Sequence, residues 1–156
     1  GNGPTLEVSD AEWKRAMSID VDGVFYCSRE AGRSMVRRGS GVIVNIGSIY
    51  SIVAAPNRAS YCTSKAGVAM LTRSLAVEWA SSGVRVNCIA PGYADTALLQ
   101  ALAAEGKIDL AALIKRTPSG KLTQPEDVAE VVGFLCDPRS KHITGQVLAV
   151  DGGWSA

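Results

Sequence analysis

Tyr61 and Lys65 stand four residues apart, and twelve residues separate Ser48 from Tyr61. A spacing of four brings a phenol and an ammonium group onto one face of a helix. A fixed cation favours phenolate over phenol, so a phenol held beside one exchanges a proton nearer neutral pH than a free phenol does. A serine hydroxyl at the end of the preceding strand can hold a substrate oxygen in the same pocket. The chemistry open to this set is acid/base handling of an alcohol or a ketone.

The elements that must position these residues are legible from patterning. Ser9-Asp10-Ala11-Glu12 reads as a capping box. Trp13, Met17, Val21, Val24, Ala31 and Met35 recur behind it at helical spacing, predicting one long helix from about Asp10 to Arg37, bent near Gly23. Gly39-Ser40-Gly41 ends it. Val42 to Ile46 is a short β-branched run suited to a strand covered on both faces. After a loop from Gly47 to Pro56, a helix from about Ala59 to Ala80 is expected to bury Val68, Leu71, Leu75 and Trp79.

Val84 to Ala90 reads as a second strand, stopped by Pro91-Gly92, and a loose helical region follows between Thr96 and Lys115. Pro125, with Glu126 and Asp127 behind it, opens a helix to about Leu135. Val147 to Val150 is the last strand. Strands spaced by helices of this length predict βα units and an α/β fold, a Rossmann-like doubly wound parallel sheet. Ser48 leaves one strand and Pro91-Gly92 leaves the next at the same sheet end, where open α/β sheets place their ligands.

Composition narrows the function classes. The chain has 156 residues, 47% apolar and 20% charged, with a formal charge of +1. That size suits one domain, and the near-neutral charge gives no electrostatic case for nucleic acid or an anionic membrane. No apolar run reaches the ~18 residues that a bilayer crossing needs. Cys27, Cys62, Cys88 and Cys136 lack metal-ligand spacing and read as reduced thiols of a cytoplasmic protein, most of them small core residues. No metal site is expected. Cys62 beside Tyr61 could be a nucleophile, but His142, the chain's sole histidine, sits far along the sequence and reads as a surface residue near a turn.

Taken together, the motifs resemble those of the short-chain dehydrogenase/reductase family, over essentially the whole chain. They are Ile19-Asp20-Val21-Asp22-Gly23, Val44-Asn45-Ile46-Gly47-Ser48, Tyr61-Cys62-Thr63-Ser64-Lys65 and Asn87-Cys88-Ile89-Ala90-Pro91-Gly92. Thr96, Gln124-Pro125-Glu126-Asp127-Val128-Ala129, Thr144-Gly145 and Val150-Asp151-Gly152-Gly153 continue the pattern in order.

The resemblance implies an oxidoreductase that moves a hydride between NAD or NADP and the carbon of a secondary alcohol or ketone. By position, Tyr61 corresponds to the acid/base and Lys65 to the group that favours its phenolate and holds the nicotinamide ribose. Ser48 corresponds to the donor to the substrate oxygen. Pro91, Gly92 and Ala94 would lie along the nicotinamide, and Thr96 would reach its carboxamide or the pyrophosphate. Residues 95–118 correspond to a mobile substrate lid, and Ser51, Asn57 and Tyr93 would also surround the substrate. Asp20 stands where the family usually has an asparagine supporting a water in the proton relay, and a working relay is expected of the aspartate.

No glycine-rich phosphate loop occurs in the chain. The expectation is therefore the C-terminal part, residues 1–156, of one NAD(P)-binding domain whose cofactor-binding half lies upstream, with Gly1-Asn2-Gly3-Pro4 as loop. A polyol or sugar-like substrate is the leading expectation, with a 3-oxoacyl-thioester reductase as the alternative. A catalytically dead scaffold is the alternative of a different class. Family members pair as homotetramers or homodimers, and Trp154 would pack at one such interface.

Overall fold

The first helix begins where its capping residues dictate. In the computed structural model, which describes residues 3–156, Ser9 Oγ accepts the Glu12 backbone N–H at 3.2 Å and Glu12 accepts the Ser9 N–H at 2.9 Å. These bonds satisfy donors that a helix start leaves orphaned, and α1 follows over Asp10–Met17. Of the expected opening loop, Gly1 and Asn2 lie outside the described residues.

The helix expected from Asp10 to Arg37, bent near Gly23, is interrupted immediately before that residue. A π-helical turn spans Ser18–Asp22, with the Gly23 N–H reaching back to the Ser18 carbonyl. The wider turn inserts one residue and resets the helix face that follows. It carries Asp20 against the third helix (below). Helix α2 then runs over Gly23–Arg38 and closes on Gly39, whose φ of 74° supplies the left-handed cap.

Strand β1, Gly41–Ile46, pairs in parallel with β2, Val84–Pro91, and β2 pairs in parallel with β3, Val147–Val150. The result is a three-stranded parallel sheet in sequence order. Between β1 and β2 lies α3, Ala59–Trp79, and between β2 and β3 lie α4, Ala97–Ala104, α5, Leu110–Arg116, and α6, Pro125–Cys136. Neighbouring residues of β2 point to opposite faces, which shows how the layers divide. Val84 and Val86 pack with Leu75 and Ala76 of α3, and Met35 and Val36 of α2 join that cluster. Arg85, between them, donates to the Leu135 carbonyl of α6 at 2.6 Å. Helices therefore cover both faces of the sheet.

The core is small and tightly closed around β2. Val68, Val86, Cys88, Ile89 and Leu135 are wholly buried, each aliphatic side chain contributing about 1.5–3 kcal/mol of transfer free energy. Leu71 and Trp79, expected in the core, sit at its margin. The Trp79 ring lies on Gly32 of α2, where an added Cβ would come within 2.5 Å of it. Asn87 is also fully buried, and the strand tolerates it because both ends of the amide are used. Its nitrogen donates to the Ile143 carbonyl at 2.9 Å, and its oxygen accepts the Gln146 N–H at 3.0 Å.

Three further expectations need correction. Cys88 alone of the thiols is buried, whereas Cys27 and Cys136 are exposed and Cys62 is intermediate. Trp154 is not presented for an interface but is buried inside the chain against Ile49 and Tyr50. The loop after β1 contains one turn of 3₁₀ helix, Ile49–Ser51. Among the described residues no helix is long and apolar enough to cross a membrane.

Candidate active site

Ser48 stands two residues beyond the end of β1. Gly47 makes this exit possible: its N–H donates to the Ile89 carbonyl at 2.7 Å, and an added Cβ would lie 2.7 Å from Cys88 Sγ. Ser48 Oγ accepts the Tyr50 backbone N–H at 3.2 Å, which leaves the hydroxyl hydrogen free to donate elsewhere. Its own N–H donates to Ser51 Oγ at 3.2 Å, and Ser51 Oγ donates to the Lys65 carbonyl at 2.8 Å. Ser51 therefore ties the end of β1 to α3. It is a structural clamp rather than part of the cavity wall, and Asn57 likewise lies outside the lining. Both depart from the sequence expectation.

Helix α3 carries the other half of the site. Tyr61 and Lys65 share one face, with Lys65 Nζ 5.7 Å from the centroid of the Tyr61 ring. Behind them, Lys65 Nζ approaches Asp20 Oδ1 at 3.6 Å, and Ser64 Oγ donates to Asp20 Oδ2 at 2.7 Å. The two ionic side chains are only 15% and 22% exposed, so this pair is sheltered more than a surface ion pair and is screened less. The π-helical turn makes the contact by bringing Asp20 to α3. Ser64 was not picked out by sequence reasoning, although its place one residue before Lys65 made it the neighbour to suspect.

An aromatic wall adjoins the phenol. The Tyr50 ring meets Tyr61 edge-on at 6.0 Å and Tyr93 edge-on at 6.4 Å. The Tyr50 and Tyr93 hydroxyls share a hydrogen bond of 2.9 Å. Burial, reinforced by that bond and by the charge of Tyr93, pushes the Tyr50 phenol well above its ordinary range. Tyr50 is thus a neutral wall residue at any physiological pH. Tyr93 continues onto Trp154 at 5.0 Å, and the Arg116 guanidinium lies 4.1 Å over the Trp154 ring.

These walls border an open cavity of about 570 Å³ at the C-terminal end of the strands. Ser48 and Tyr61 line it from one side, and Gly92, Ala94 and Thr96 line it where the chain leaves β2. Leu98, Leu99 and Leu102 of α4 close it from above. Asp20, Lys65 and Pro91 do not face into it. Pro91 ends β2 opposite Val150, and Gly92 must be glycine-sized because an added Cβ would lie 2.9 Å from Asp151 Cα. Thr96 Oγ1 accepts the Leu99 N–H at 3.3 Å and so caps α4.

A parallel sheet layered by helices, with a serine and a tyrosine meeting at its C-terminal edge, defines an α/β fold of the dinucleotide-binding type. Comparison with known proteins makes the assignment specific. A family model described as enoyl-(acyl carrier protein) reductase matches residues 1–155. The chain is 48% identical over 153 residues to cis-4-hydroxycyclohexanecarboxylate dehydrogenase of Sinomonas cyclohexanicum, covering 98% of this chain and 60% of that protein. It is 44% identical over 152 residues to galactitol 2-dehydrogenase (L-tagatose-forming) of Cereibacter sphaeroides, covering 96% of this chain and 59% of that protein. The crystal structure of a gluconate 5-dehydrogenase from Burkholderia cenocepacia, in complex with NADP and tartrate, superposes with a TM-score of 0.92 at 35% identity. That match covers 99% of this chain and 60% of the solved one. The chain belongs to the short-chain dehydrogenase/reductase family. It spans only 60% and 59% of the lengths of the two curated relatives.

Proposed function

We propose that this chain supplies the catalytic and substrate-binding part of an NAD- or NADP-dependent oxidoreductase that interconverts a secondary alcohol and a ketone. The observation that carries the reading is the convergence of Ser48, at the end of β1, and Tyr61, on α3, on one cavity, with Lys65 held against the Tyr61 ring. Polyols, sugar acids and other secondary alcohols are the proposed substrate class, in keeping with what the named relatives act on.

The donor set suits the nicotinamide and ribose end of a dinucleotide. Tyr61 and Lys65 offer a hydroxyl and an ammonium for ribose hydroxyls. The turn from Pro91 through Gly92 to Ala94 offers backbone groups along a flat ring, and Thr96 offers a hydroxyl. When bound, the dinucleotide supplies or accepts the hydride.

This chain's own residues handle orientation and the proton. The Ser48 hydroxyl donates to the substrate oxygen and holds it as charge develops there. Tyr61 takes the hydroxyl proton in oxidation and returns it in reduction. The Lys65 ammonium stands beside the Tyr61 ring, and Asp20 with Ser64 fixes it in place. Residues 95–118, with α4 and α5, act as the lid that excludes water over the cavity.

Strand β1 has β2 as its sole strand partner among the described residues, and Ile46 at its end is 46% exposed. An unpaired edge with apolar side chains favours pairing with a further strand. The dinucleotide-binding half of the same protein is the proposed occupant, residues 1–156 forming the C-terminal part of one domain. Exposed Phe25, Tyr26, Met70 and Val77 on α2 and α3 support self-association into a dimer or tetramer. Exposed free thiols at Cys27 and Cys136 favour a reducing compartment such as the cytoplasm.

The test is turnover of galactitol and cis-4-hydroxycyclohexanecarboxylate by the full-length protein with NAD and with NADP, followed by nicotinamide absorbance. Tyr61→Phe should lower kcat by about 10²–10⁴-fold while leaving the melting temperature in place. Undiminished turnover by Tyr61→Phe would remove the phenol from the mechanism.

A further inference from the structure

Apart from Ser48 and Tyr61, which take the reacting oxygen, the polar side chains lining the cavity are already engaged within the chain. The Tyr50 and Tyr93 hydroxyls bond to each other at 2.9 Å. Thr96 Oγ1 accepts the Leu99 N–H at 3.3 Å. Lys107 is paired with Glu105 at 2.6 Å, and both side chains are more than half exposed, so they face solvent. The Arg58 guanidinium lies over the Tyr50 ring, 5.6 Å from its centroid, and is not free either. What remains to offer a ligand is one hydroxyl hydrogen on the phenol pair and another on Thr96, which the dinucleotide claims.

The rest of the lining is hydrocarbon. Leu99 and Leu102 of α4, Ile108 beyond it, Ile49, and the rings of Tyr50 and Tyr93 make up this surface. Ile49, Tyr50 and Leu99 are buried. Behind the wall, Ile49 and Tyr50 pack on Trp154, with Val53 and Leu113 against them, so the layer that backs it is apolar too. A polyol carries a hydroxyl on nearly every carbon. Each one pressed against this wall without a partner weakens binding, because its hydrogen bonds to water are not replaced. A body of CH₂ groups gains from the same surface.

We propose that the substrate is a secondary alcohol, or its ketone, whose flanking carbons are hydrocarbon rather than hydroxylated, such as an alicyclic alcohol. Its reacting oxygen lies at Ser48 and Tyr61, and its apolar body lies against α4, Ile108 and the Tyr50 and Tyr93 rings. This inference rests on the dehydrogenase reading and narrows the proposed substrates to their least hydroxylated members.

Cyclohexanol and myo-inositol are matched probes, since both are six-membered rings bearing secondary alcohols and they differ in the added hydroxyls. With the full-length protein and its nucleotide, cyclohexanol is expected to exceed myo-inositol and galactitol by at least about 100-fold in kcat/KM. Leu102→Gln places an amide on the apolar wall and should lose about tenfold on cyclohexanol and less on myo-inositol, so that the preference shrinks. The melting temperature checks that this variant is folded. 1-Methylcyclohexanol has no hydrogen on its carbinol carbon and cannot be oxidised; it should inhibit the parent competitively, and Leu102→Gln less. The comparison of substrates in the parent needs no variant and decides the matter if Leu102→Gln does not fold. Use of myo-inositol or galactitol as good as that of cyclohexanol, or an unchanged preference in folded Leu102→Gln, overturns the apolar assignment and leaves the dehydrogenase reading standing. No turnover of these alcohols or of cis-4-hydroxycyclohexanecarboxylate with either nucleotide overturns both.

Discussion

The two sides of the cavity are built differently. On one side, Ser48, Tyr61 and Lys65 stand on a strand end and a helix face, backed by Asp20 and Ser64 and locked by the Ser51 clamp. On the other, α4 is a short helix whose Leu98 is 71% exposed, and Lys107 and Ile108 follow it on a loop. Rigid elements hold reacting groups to the tolerance that proton transfer demands. Short helices on loops tolerate change and can move with a ligand. The first region should therefore govern kcat and the second KM.

The largest effect expected within this contrast comes from Lys65→Met, about 10²-fold or more in kcat, because the proton-exchanging phenol loses the cation beside it. Steady-state kinetics check it, and turnover equal to the parent's would break the comparison at its strongest point. Asp20→Asn should change kcat by less than about tenfold, since the lost ion pair is still partly solvated. A rise in turnover would instead mean that the aspartate impairs the relay.

On the aromatic wall beside the phenol, Tyr50→Phe removes the hydrogen bond shared with Tyr93 and should cost about 1 kcal/mol of stability, raising KM more than kcat. Thr96→Ala removes the cap of α4 and should destabilise that helix locally by about 1 kcal/mol. Amide exchange over Ala97–Ala104 reads that loss, with a modest rise in KM. A kcat-specific effect from Thr96→Ala would erase the distinction between the two sides.

The smallest effect is on pH stability near Trp154. Burial opposes charge on Asp151, but hydrogen bonds from Ser155 and from the Gly153 and Ser155 backbone outweigh it and hold the carboxyl below its usual range. A depressed carboxyl contributes stability above its unfolded value, and loses it as pH falls through the lower folded value. Thermal melts of Asp151→Asn against pH should therefore show a flatter acid limb than the parent, and an unchanged limb would remove Asp151 from the account.

The parts of the site legible in the sequence are those with a period. Tyr61 and Lys65 follow from a helical spacing, and Ser48 from the end of a β-branched run. Residues 95–118 could be read only as a loose helical stretch, because their break into α4 and α5 depends on the local caps Thr96 and Asp109. Tyr50 and Arg58 stayed hidden because each sits in an irregular turn, where no period says which way a side chain points. Ser51 and Asn57 were misplaced for the same reason. Trp154 looked like an interface residue because it stands near the terminus, but Asp151 turns the chain end inward and buries it.

By itself the sequence determined the α/β order of elements, the helix starts set by Ser9 and Pro125, and the placing of Ser48 and Tyr61 at one sheet edge. These follow from local rules, namely capping, alternation and helical spacing, which act within a few residues. The tertiary structure decided the π-helical turn that carries Asp20 to Lys65, the ring pairs linking Tyr61 to Tyr93, and the placing of α4 over the cavity. Those features join residues far apart in the chain, so they depend on how helices and strands pack.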